Sequence, residues 1–254
     1  MAKATREAYG ETLKELGAKI PEIVVLDADL SASTKTAVFA KAFPDRFFDT
    51  GIAEGNMMSV AAGLAASGKI PFASTFAVFG AGRAYEQIRN SICYPNLNVK
   101  VAVTHAGLTV GEDGATHQML EDIALMRALP NMTVVVPADA AETAQVIRWA
   151  ASYQGPVYIR MGRAKVEDVI SPDAEFVPGK STTLADGSDI TIMACGIMTQ
   201  QALQAAKMLA EEGISARVIN MSSIKPIDEE AIVKAAKETG AIVTCEEHTV
   251  MGGL

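Results

Sequence analysis

Cysteine is scarce in this sequence, and its three residues, Cys93, Cys195 and Cys245, lie far apart. An odd number of distant cysteines provides neither a disulfide framework nor a CxxC metal clip. No stretch approaches the ~18 to 20 uninterrupted apolar residues that a membrane-spanning helix needs. The N-terminus also lacks the apolar core of a secretory signal. These absences predict a cytoplasmic protein with no membrane partner.

Basic residues are also in short supply, since 22 Lys and Arg stand against 30 Asp and Glu, for a net charge of −8. Nucleic acid is therefore an unfavourable partner, because phosphate contacts along a duplex need a surplus of positive charge. Small anions remain open, since one or two placed arginines can bind a phosphate. Disorder is excluded, because 49% of the 254 residues are hydrophobic and only 20% are charged.

Apolar runs bounded by turn residues alternate with helical patterns over residues 1–165. The predicted strands are Ile23–Leu26, Phe47–Thr50, Val99–Thr104, Thr133–Val136 and Val157–Arg160. The predicted helices are 1–17, Met57–Ser67, Ala84–Cys93, Gln118–Arg127 and Ala141–Ser152. This alternation predicts an α/β domain with a parallel sheet covered on both faces. Ligands of such sheets bind beyond the carboxyl ends of the strands.

The pattern breaks over residues 166–184, which we interpret as a linker because they hold two prolines and no sustained period. A second, smaller α/β domain follows over residues 185–254. Its predicted strands are 189–196, 214–223 and 241–248, and its predicted helices are 198–213 and 227–240. A terminal MGGL is a poor end for a domain, so we expect this one to be incomplete.

Three segments contain candidate functional residues, although common phosphate-loop, nucleophile-elbow, zinc-helix and dinucleotide motifs are absent. In FFDTGIAEGNM (47–57), Glu54 lies just past a strand, where an acid could simply complement a helix dipole. In 99–118, His105 and His117 bracket a glycine-rich loop that includes Asp113. In 73–90, Phe76 and Phe79 would share a helix face, which core packing alone would explain. Arg6 and Arg163 are phosphate candidates by charge.

In this order and spacing, the segments resemble the pyrimidine-binding domain of transketolase, a thiamine-diphosphate enzyme. GIAEGNM is similar to the family's GIAEQNM, TFAVF to its TFxxF, and THAGLTVGEDGATHQ to its TH(D/S)SxGxGEDGPTHQ. The likeness extends upstream to ATR (4–6) and DADLSAS (27–33), and downstream to LPNMTVVVPADAAET and PVYIRMGR. It covers most of the chain and continues weakly into the C-terminal unit.

The resemblance implies a role for each candidate. Glu54 would hydrogen-bond N1′ of the cofactor's aminopyrimidine, and Phe76 and Phe79 would form the pocket for that ring. Asp29 would lie near the cofactor, and His117 near its amino group and the reacting carbonyl. Asp113 would bind a substrate hydroxyl. The residues expected around the sugar phosphate are His105, Arg6, Ser33 and Arg163.

Two positions depart from the family pattern. Gly55 replaces the usual Gln, and Gly82 stands where the family has an aromatic residue three positions beyond Phe79. Tyr85 is a candidate to compensate for the missing ring. These changes concern the shape of the pyrimidine pocket rather than the role of Glu54.

The family's diphosphate-binding domain, whose GDG motif and downstream Asn hold Mg²⁺, is not present in this sequence. The resemblance therefore implies a C-terminal subunit of a split transketolase with no metal ligands of its own. A separate N-terminal subunit would supply the Mg²⁺ or Ca²⁺ and diphosphate site. Self-association through pyrimidine domains would give a heterotetramer. Sugar phosphates would be the substrates, as in the pentose phosphate pathway.

Three other interpretations remain at this point. A 1-deoxyxylulose-5-phosphate synthase-like protein and a 2-oxoacid dehydrogenase E1 β-like subunit share the scaffold. A non-catalytic assembly subunit is the third. The full GEDGATHQ and GIAEGNM segments favour transketolase over the first two, and the retained Glu54, His105, Asp113 and His117 argue against a mere scaffold.

Overall fold

The computed structural model describes residues 2–254. Its strands are β1 (Lys3–Ala4), β2 (Ile23–Asp27), β3 (Phe47–Asp49), β4 (Ile70–Ser74), β5 (Lys100–Val103), β6 (Thr133–Val135), β7 (Val157–Arg160), β8 (Lys165–Val166), β9 (Thr182–Ala185), β10 (Ile190–Ala194), β11 (Ala216–Asn220), β12 (Ser223–Lys225) and β13 (Ile242–Cys245). Its α-helices are α1 (Thr5–Lys19), α2 (Ser31–Thr34), α3 (Ala37–Ala42), α4 (Glu54–Ala66), α5 (Tyr85–Gln87), α6 (Asp122–Arg127), α7 (Ala140–Ser152), α8 (Met198–Glu211) and α9 (Glu229–Glu238). A 3₁₀ turn spans Pro44–Arg46, and two π-helical segments span Val78–Arg83 and Ile88–Cys93.

The larger sheet has the strand order β12-β6-β7-β5-β4-β2-β3, and its neighbours are parallel except for β12 and β6. Helices cover both faces, as β2 illustrates. Leu26 belongs to one apolar cluster with Met57 of α4, whereas Val25 belongs to a second cluster with Leu13 of α1. Successive strand residues point to opposite faces, so an all-apolar strand needs cover on both. The predicted α/β class with a mainly parallel sheet is confirmed.

The smaller sheet has the order β13-β10-β11-β9, with β9 antiparallel to β11 and the other pairs parallel. It carries α8 and α9, which makes it the smaller α/β unit expected after the first domain. β1 and β8 form a separate antiparallel pair. Within residues 2–254, no helix combines the length and apolar content needed to cross a membrane.

Several elements differ from the sequence expectations. β9 begins at Thr182, inside the segment interpreted as a linker, and the predicted helix Ala84–Cys93 is a short α5 followed by a π-helical segment. β4 occupies the middle of the larger sheet but is not among the predicted strands, since Pro71 is unfavourable in a central strand. β12 lies in the C-terminal half of the chain but pairs with β6 of the larger sheet. The helix predicted from Gln118 begins only at Asp122, because the carbonyl groups of Met119 and Leu120 accept hydrogen bonds from other segments.

Candidate active site

The candidate residues follow the carboxyl ends of five adjacent parallel strands. Across the sheet from β7 to β3, the residues beyond each strand end are Arg163 after β7, His105 after β5, Phe76 after β4, Asp29 after β2 and Glu54 after β3. The carboxyl ends of parallel strands lie at one edge, so residues distant in sequence meet there. This edge is therefore the candidate active site.

Glu54 is the first residue of α4, and only 4% of its surface is exposed. Its Oε1 accepts a hydrogen bond from Nη1 of Arg83 at 3.4 Å. Its other oxygen, Oε2, makes no hydrogen bond to residues 2–254. The N-terminal end of α4 adds a favourable dipole to the buried carboxylate. Arg83 thus holds one oxygen of the carboxyl group, and the other oxygen remains available for a hydrogen bond.

Four aromatic rings form a cluster that Arg83 connects to Glu54. The Phe76 and Phe79 rings are nearly parallel, with centroids 5.9 Å apart and planes at 15°. His105 stacks on Phe76 at 3.8 Å, and His117 meets the edge of Phe79 at 5.4 Å. The guanidinium of Arg83 lies over Phe79, with Cζ 4.4 Å from the ring centroid. The structure thus brings both phenylalanines and both histidines of the sequence prediction together.

His105 is 2% exposed and has a left-handed backbone conformation, with φ of 59°. Its Nδ1 shares a 2.8 Å hydrogen bond with the Thr104 hydroxyl. Burial, followed by the positive charges of Arg6 and Arg163, lowers the pKa of His105 to about 4. The imidazole is therefore neutral at pH 7 and can serve as a donor or an acceptor without adding charge.

We expect the His105 ring to titrate only near pH 4. Its lowered pKa means that the unfolded chain binds more protons than the native chain between pH 4 and about 6.5. This group's contribution to the free energy of unfolding therefore falls as the pH drops through that window. Side-chain NMR of the histidine Cε1–H groups would measure it, with His105→Asn as the assignment control because Asn tolerates positive φ. A midpoint near 6.5 would contradict the expectation.

Two arginines lie close enough to His105 to act on its charge. Nη1 of Arg6 donates to the backbone oxygen of Ser33 at 2.7 Å, and Nη1 of Arg163 donates to the backbone oxygen of Val110 at 2.7 Å. Burial and the nearby charge of Arg163 lower the pKa of Arg6. Two cations close enough to repel each other favour an anion between them.

Asp113 is an exposed residue of the loop, and its charge raises the pKa of His105 against the other effects. This electrostatic effect requires that Asp113 lie near His105, so the loop places it around the same imidazole as the two arginines. His117 of the same loop forms a 2.9 Å hydrogen bond between Nδ1 and the Thr116 hydroxyl. The loop thus contributes an acid and an imidazole to the site.

Asp29 lies at the β2 end, where its N–H donates to Oδ1 of Asp49 at 3.1 Å and its φ is 61°. The neighbouring buried carboxylate, Asp27, is not among the predicted site residues. It accepts hydrogen bonds from the Thr34 and Thr36 hydroxyls at 2.7 and 2.8 Å. Burial raises its pKa to about 6 despite these bonds. Asp27 thus fixes the turn that carries Ser33.

The two departures from the family pattern have local explanations. A side chain at Gly55 would place its Cβ 3.2 Å from Oε1 of Gln87, so Gln87 fills the space that a residue at 55 would use. A Cβ at Gly82 would meet nothing within 4 Å. Arg83, rather than Tyr85, covers Phe79, because Tyr85 packs against the first apolar cluster.

Metal binding needs several ligating side chains in one place. Within the described part of the chain, no group of three or more His, Cys, Asp and Glu side chains is arranged to hold a metal ion. The side chains that do lie at this edge are a buried carboxyl group, aromatic rings, imidazole and arginine.

Two families match this chain. Transketolase, pyrimidine binding domain, matches residues 1–168, and transketolase, C-terminal domain, matches residues 179–254. A solved structure described as a split gene transketolase, inactive beta4 tetramer, is 64% identical with a TM-score of 0.93, and the match covers 100% of this chain and 83% of that one.

Two curated relatives are similar over nearly the full chain. A protein of Methanocaldococcus jannaschii, whose name proposes it as a transketolase C-terminal section, is 56% identical over 99% of this chain and 79% of its own length. An apulose-4-phosphate transketolase subunit of Phocaeicola vulgatus is 46% identical over 99% of this chain and 81% of its own length.

Proposed function

Since this chain belongs to the transketolase family, we propose that it is the C-terminal subunit of a thiamine-diphosphate-dependent transketolase. The reaction moves a two-carbon ketol unit from a ketose phosphate to an aldose or aldose phosphate. The observation that carries the proposal is the buried Glu54 carboxyl beside the Phe76–Phe79 ring pair, with the two histidines at the same edge.

The residues at this edge fit an aminopyrimidine ring. A planar heteroaromatic ring needs an apolar or aromatic wall, which Phe76 and Phe79 supply. A ring nitrogen needs a hydrogen-bonding group, which the open Oε2 of Glu54 supplies. Thiamine diphosphate, when bound, supplies the carbanion chemistry that breaks and forms the carbon–carbon bond.

The chain's own residues orient the reactants and control protons. With the cofactor bound, Glu54 Oε2 would hold a proton toward the ring nitrogen, and the phenylalanine rings would keep water away from that hydrogen bond. His117, which forms a T-shaped contact with the Phe79 ring and is half-buried, would exchange hydrogen bonds with the reacting carbonyl. Neutral His105 can hydrogen-bond a sugar hydroxyl, and Asp113 can accept from another.

Arg6 and Arg163 would bind the substrate phosphate, with Ser33 beside Arg6. A guanidinium offers a planar fork of donors that matches phosphate oxygens, and two forks from different segments fix the phosphate in one place. Asp29, at the neighbouring strand end, would lie on the cofactor side. This assignment predicts phosphorylated rather than neutral sugars.

The site is completed by a second subunit in this proposal. The split-gene structure and the relative named as a C-terminal section support a division of the enzyme between two chains. The partner chain would supply the diphosphate site and its Mg²⁺ or Ca²⁺. Pairing of two pyrimidine domains, each with a partner, gives a heterotetramer.

Reconstitution tests the proposal directly. We expect release of glyceraldehyde 3-phosphate from xylulose 5-phosphate and ribose 5-phosphate only when this chain is mixed with a diphosphate-domain subunit, thiamine diphosphate and Mg²⁺. Activity of the chain alone would refute a divided site. Release of CO₂ from pyruvate would instead indicate the 1-deoxyxylulose-5-phosphate synthase-like or the 2-oxoacid dehydrogenase E1 β-like alternative. A complex that binds the cofactor but converts no ketose phosphate would favour an assembly subunit.

A further inference from the structure

The loop over residues 107–118 carries Asp113 and His117 but has little internal support. Three of its glycines, Gly107, Gly111 and Gly114, have positive φ. Most of its residues from 108 to 116 are exposed. Internal backbone hydrogen bonds are confined to 111–118, where Gly114 donates to Gly111 and the oxygen of Gly114 accepts from 117 and 118. A loop of this composition needs support from outside to hold one conformation.

Part of that support comes from Arg163, which donates to the backbone oxygen of Val110 at 2.7 Å. A second part comes from a carboxylate in the C-terminal domain. Glu247 is 8% exposed, and its Oε1 accepts from the backbone N–H groups of Leu108 and Thr109 at 3.2 and 2.9 Å. Its Oε2 accepts from the Thr109 hydroxyl at 3.1 Å. Hydrogen bonds to a carboxylate are stronger than those to a neutral acceptor. Three of them converge on two successive loop residues.

Glu247 is itself held firmly. It follows β13, and its backbone oxygen accepts from Nη2 of Arg160 at 2.9 Å. Arg160 is buried and paired with Asp122 at 2.7 Å. Two residues further on, Thr249 N–H donates to the oxygen of Leu120 at 2.8 Å. The carboxylate is therefore fixed to the larger sheet rather than mobile on its own domain.

The loop is shaped to receive this carboxylate. A Cβ at position 107 would lie 2.5 Å from Oε2 of Glu247 and 2.8 Å from its Cβ. Only a glycine allows the backbone to approach so closely, and φ of 84° at Gly107 also favours glycine. The glycine of the loop and the carboxylate of Glu247 thus fit closely together, although more than 130 residues separate the two segments in sequence.

We propose that Glu247 is a positioning residue through which the C-terminal domain sets the conformation of the 107–118 loop. By fixing Leu108 and Thr109, it places Asp113 and His117 at the edge where Phe79 and His105 lie. The consequence for substrate binding rests on the proposed function, whereas the consequence for loop order does not. The C-terminal domain thereby acts on the site without adding a residue to it.

Hydrogen–deuterium exchange on the chain alone tests the effect on loop order. In Glu247→Ala, we expect amide exchange over 107–119 to rise by about tenfold or more, since the part-buried N–H groups of Leu108 and Thr109 lose a charged acceptor. Glu247→Gln should stay near the parent rate, because its amide oxygen can still accept from both N–H groups and its NH₂ can donate to the Thr109 hydroxyl. Glu212→Ala, at an exposed acid in the same domain, is the matched control.

Unchanged exchange over 107–119 in Glu247→Ala, or an equal rise in every peptide, would overturn the proposal. Should that variant fail to fold, Thr109→Val removes one hydrogen bond and should raise exchange over 108–113 alone. In the assembled enzyme, Glu247→Ala should raise KM for the ketose phosphate more than it lowers kcat, with rescue by Gln. Failure of the proposed function would leave the exchange result intact, which separates the two hypotheses.

Discussion

Replacing Glu54 by Gln is expected to lower kcat of the assembled enzyme by about 10²- to 10⁴-fold, the range over which positioned acid–base groups contribute. Glutamine keeps the size and the buried position but cannot share an ionisable proton with a ring nitrogen. Its side chain can still accept from Arg83, so the local packing should persist. The loss would therefore report proton control rather than misfolding.

Two further measurements make this prediction specific. Calorimetric titration should show that thiamine diphosphate still binds the mixture with Glu54→Gln, with weaker affinity, since the aromatic wall remains. Glu22→Gln, at an exposed acid before β2, should leave both affinity and kcat unchanged. Full activity of Glu54→Gln in a demonstrated complex would show that Glu54 takes no part in the chemistry.

The contact with Arg83 bears on how Glu54 works. The pair spans 3.4 Å, and the Arg83 side chain is 57% exposed, so the pair itself is weak. Its effect is directional, because it occupies Oε1 and leaves Oε2 available. Arg83 is thus suited to orient the carboxyl group, while burial of Glu54 would strengthen the hydrogen bond that we propose for the other oxygen.

The architecture could be predicted from the pattern of apolar residues and from the position of polar residues beyond the strand ends. Alternating apolar runs indicated the parallel sheet, and residues beyond strand ends, such as Glu54 and His105, were expected at one edge. The position of the candidate site followed from chain direction alone, because the carboxyl ends of all the parallel strands lie at one edge of the sheet. β4 and β12 were not predicted, because Pro71 weakens the strand pattern of β4 and because β12 pairs with a strand outside its own domain.

The supporting residues could not be predicted for a different reason. Arg83 reaches Glu54 only because the π-helical segment turns it over Phe79, and no periodicity in the sequence signals that turn. Glu247 reaches Thr109 across two domains, so nothing near either residue indicates the other. Local patterns identify residues that carry chemistry, whereas the contacts that hold them depend on how domains pack.

The second large effect is expected from a buried ion pair of the larger domain, whose Arg160 also donates to the backbone oxygen of Glu247 in the C-terminal domain. Asp122 is fully buried, and its Oδ2 accepts from Arg160 Nε at 2.7 Å and from the Tyr158 hydroxyl at 2.8 Å. Asp122→Ala would leave the Arg160 charge buried without a carboxylate to balance it. Breaking a buried pair in this way costs about 3–5 kcal/mol in free energy of unfolding, which urea denaturation would measure.

An exposed network on the same chain provides the comparison. Glu15 contacts Lys19 and Arg148 at 2.8 Å, but all three side chains are well exposed. Glu15→Ala should therefore cost no more than about 1 kcal/mol. An equal cost for the two variants would contradict the argument from burial.

The double variant Asp122→Leu with Arg160→Met distinguishes the ion pair's own contribution to stability from its role in holding Glu247. Replacing both members of a buried pair by apolar residues of similar volume is often neutral. Here, however, Nη2 of Arg160 also donates to the oxygens of Met119 and Glu247. The double variant should therefore recover only part of the stability, and it should still raise amide exchange over 107–119. The ion pair would then be needed less for its own energy than for holding Glu247 against the loop.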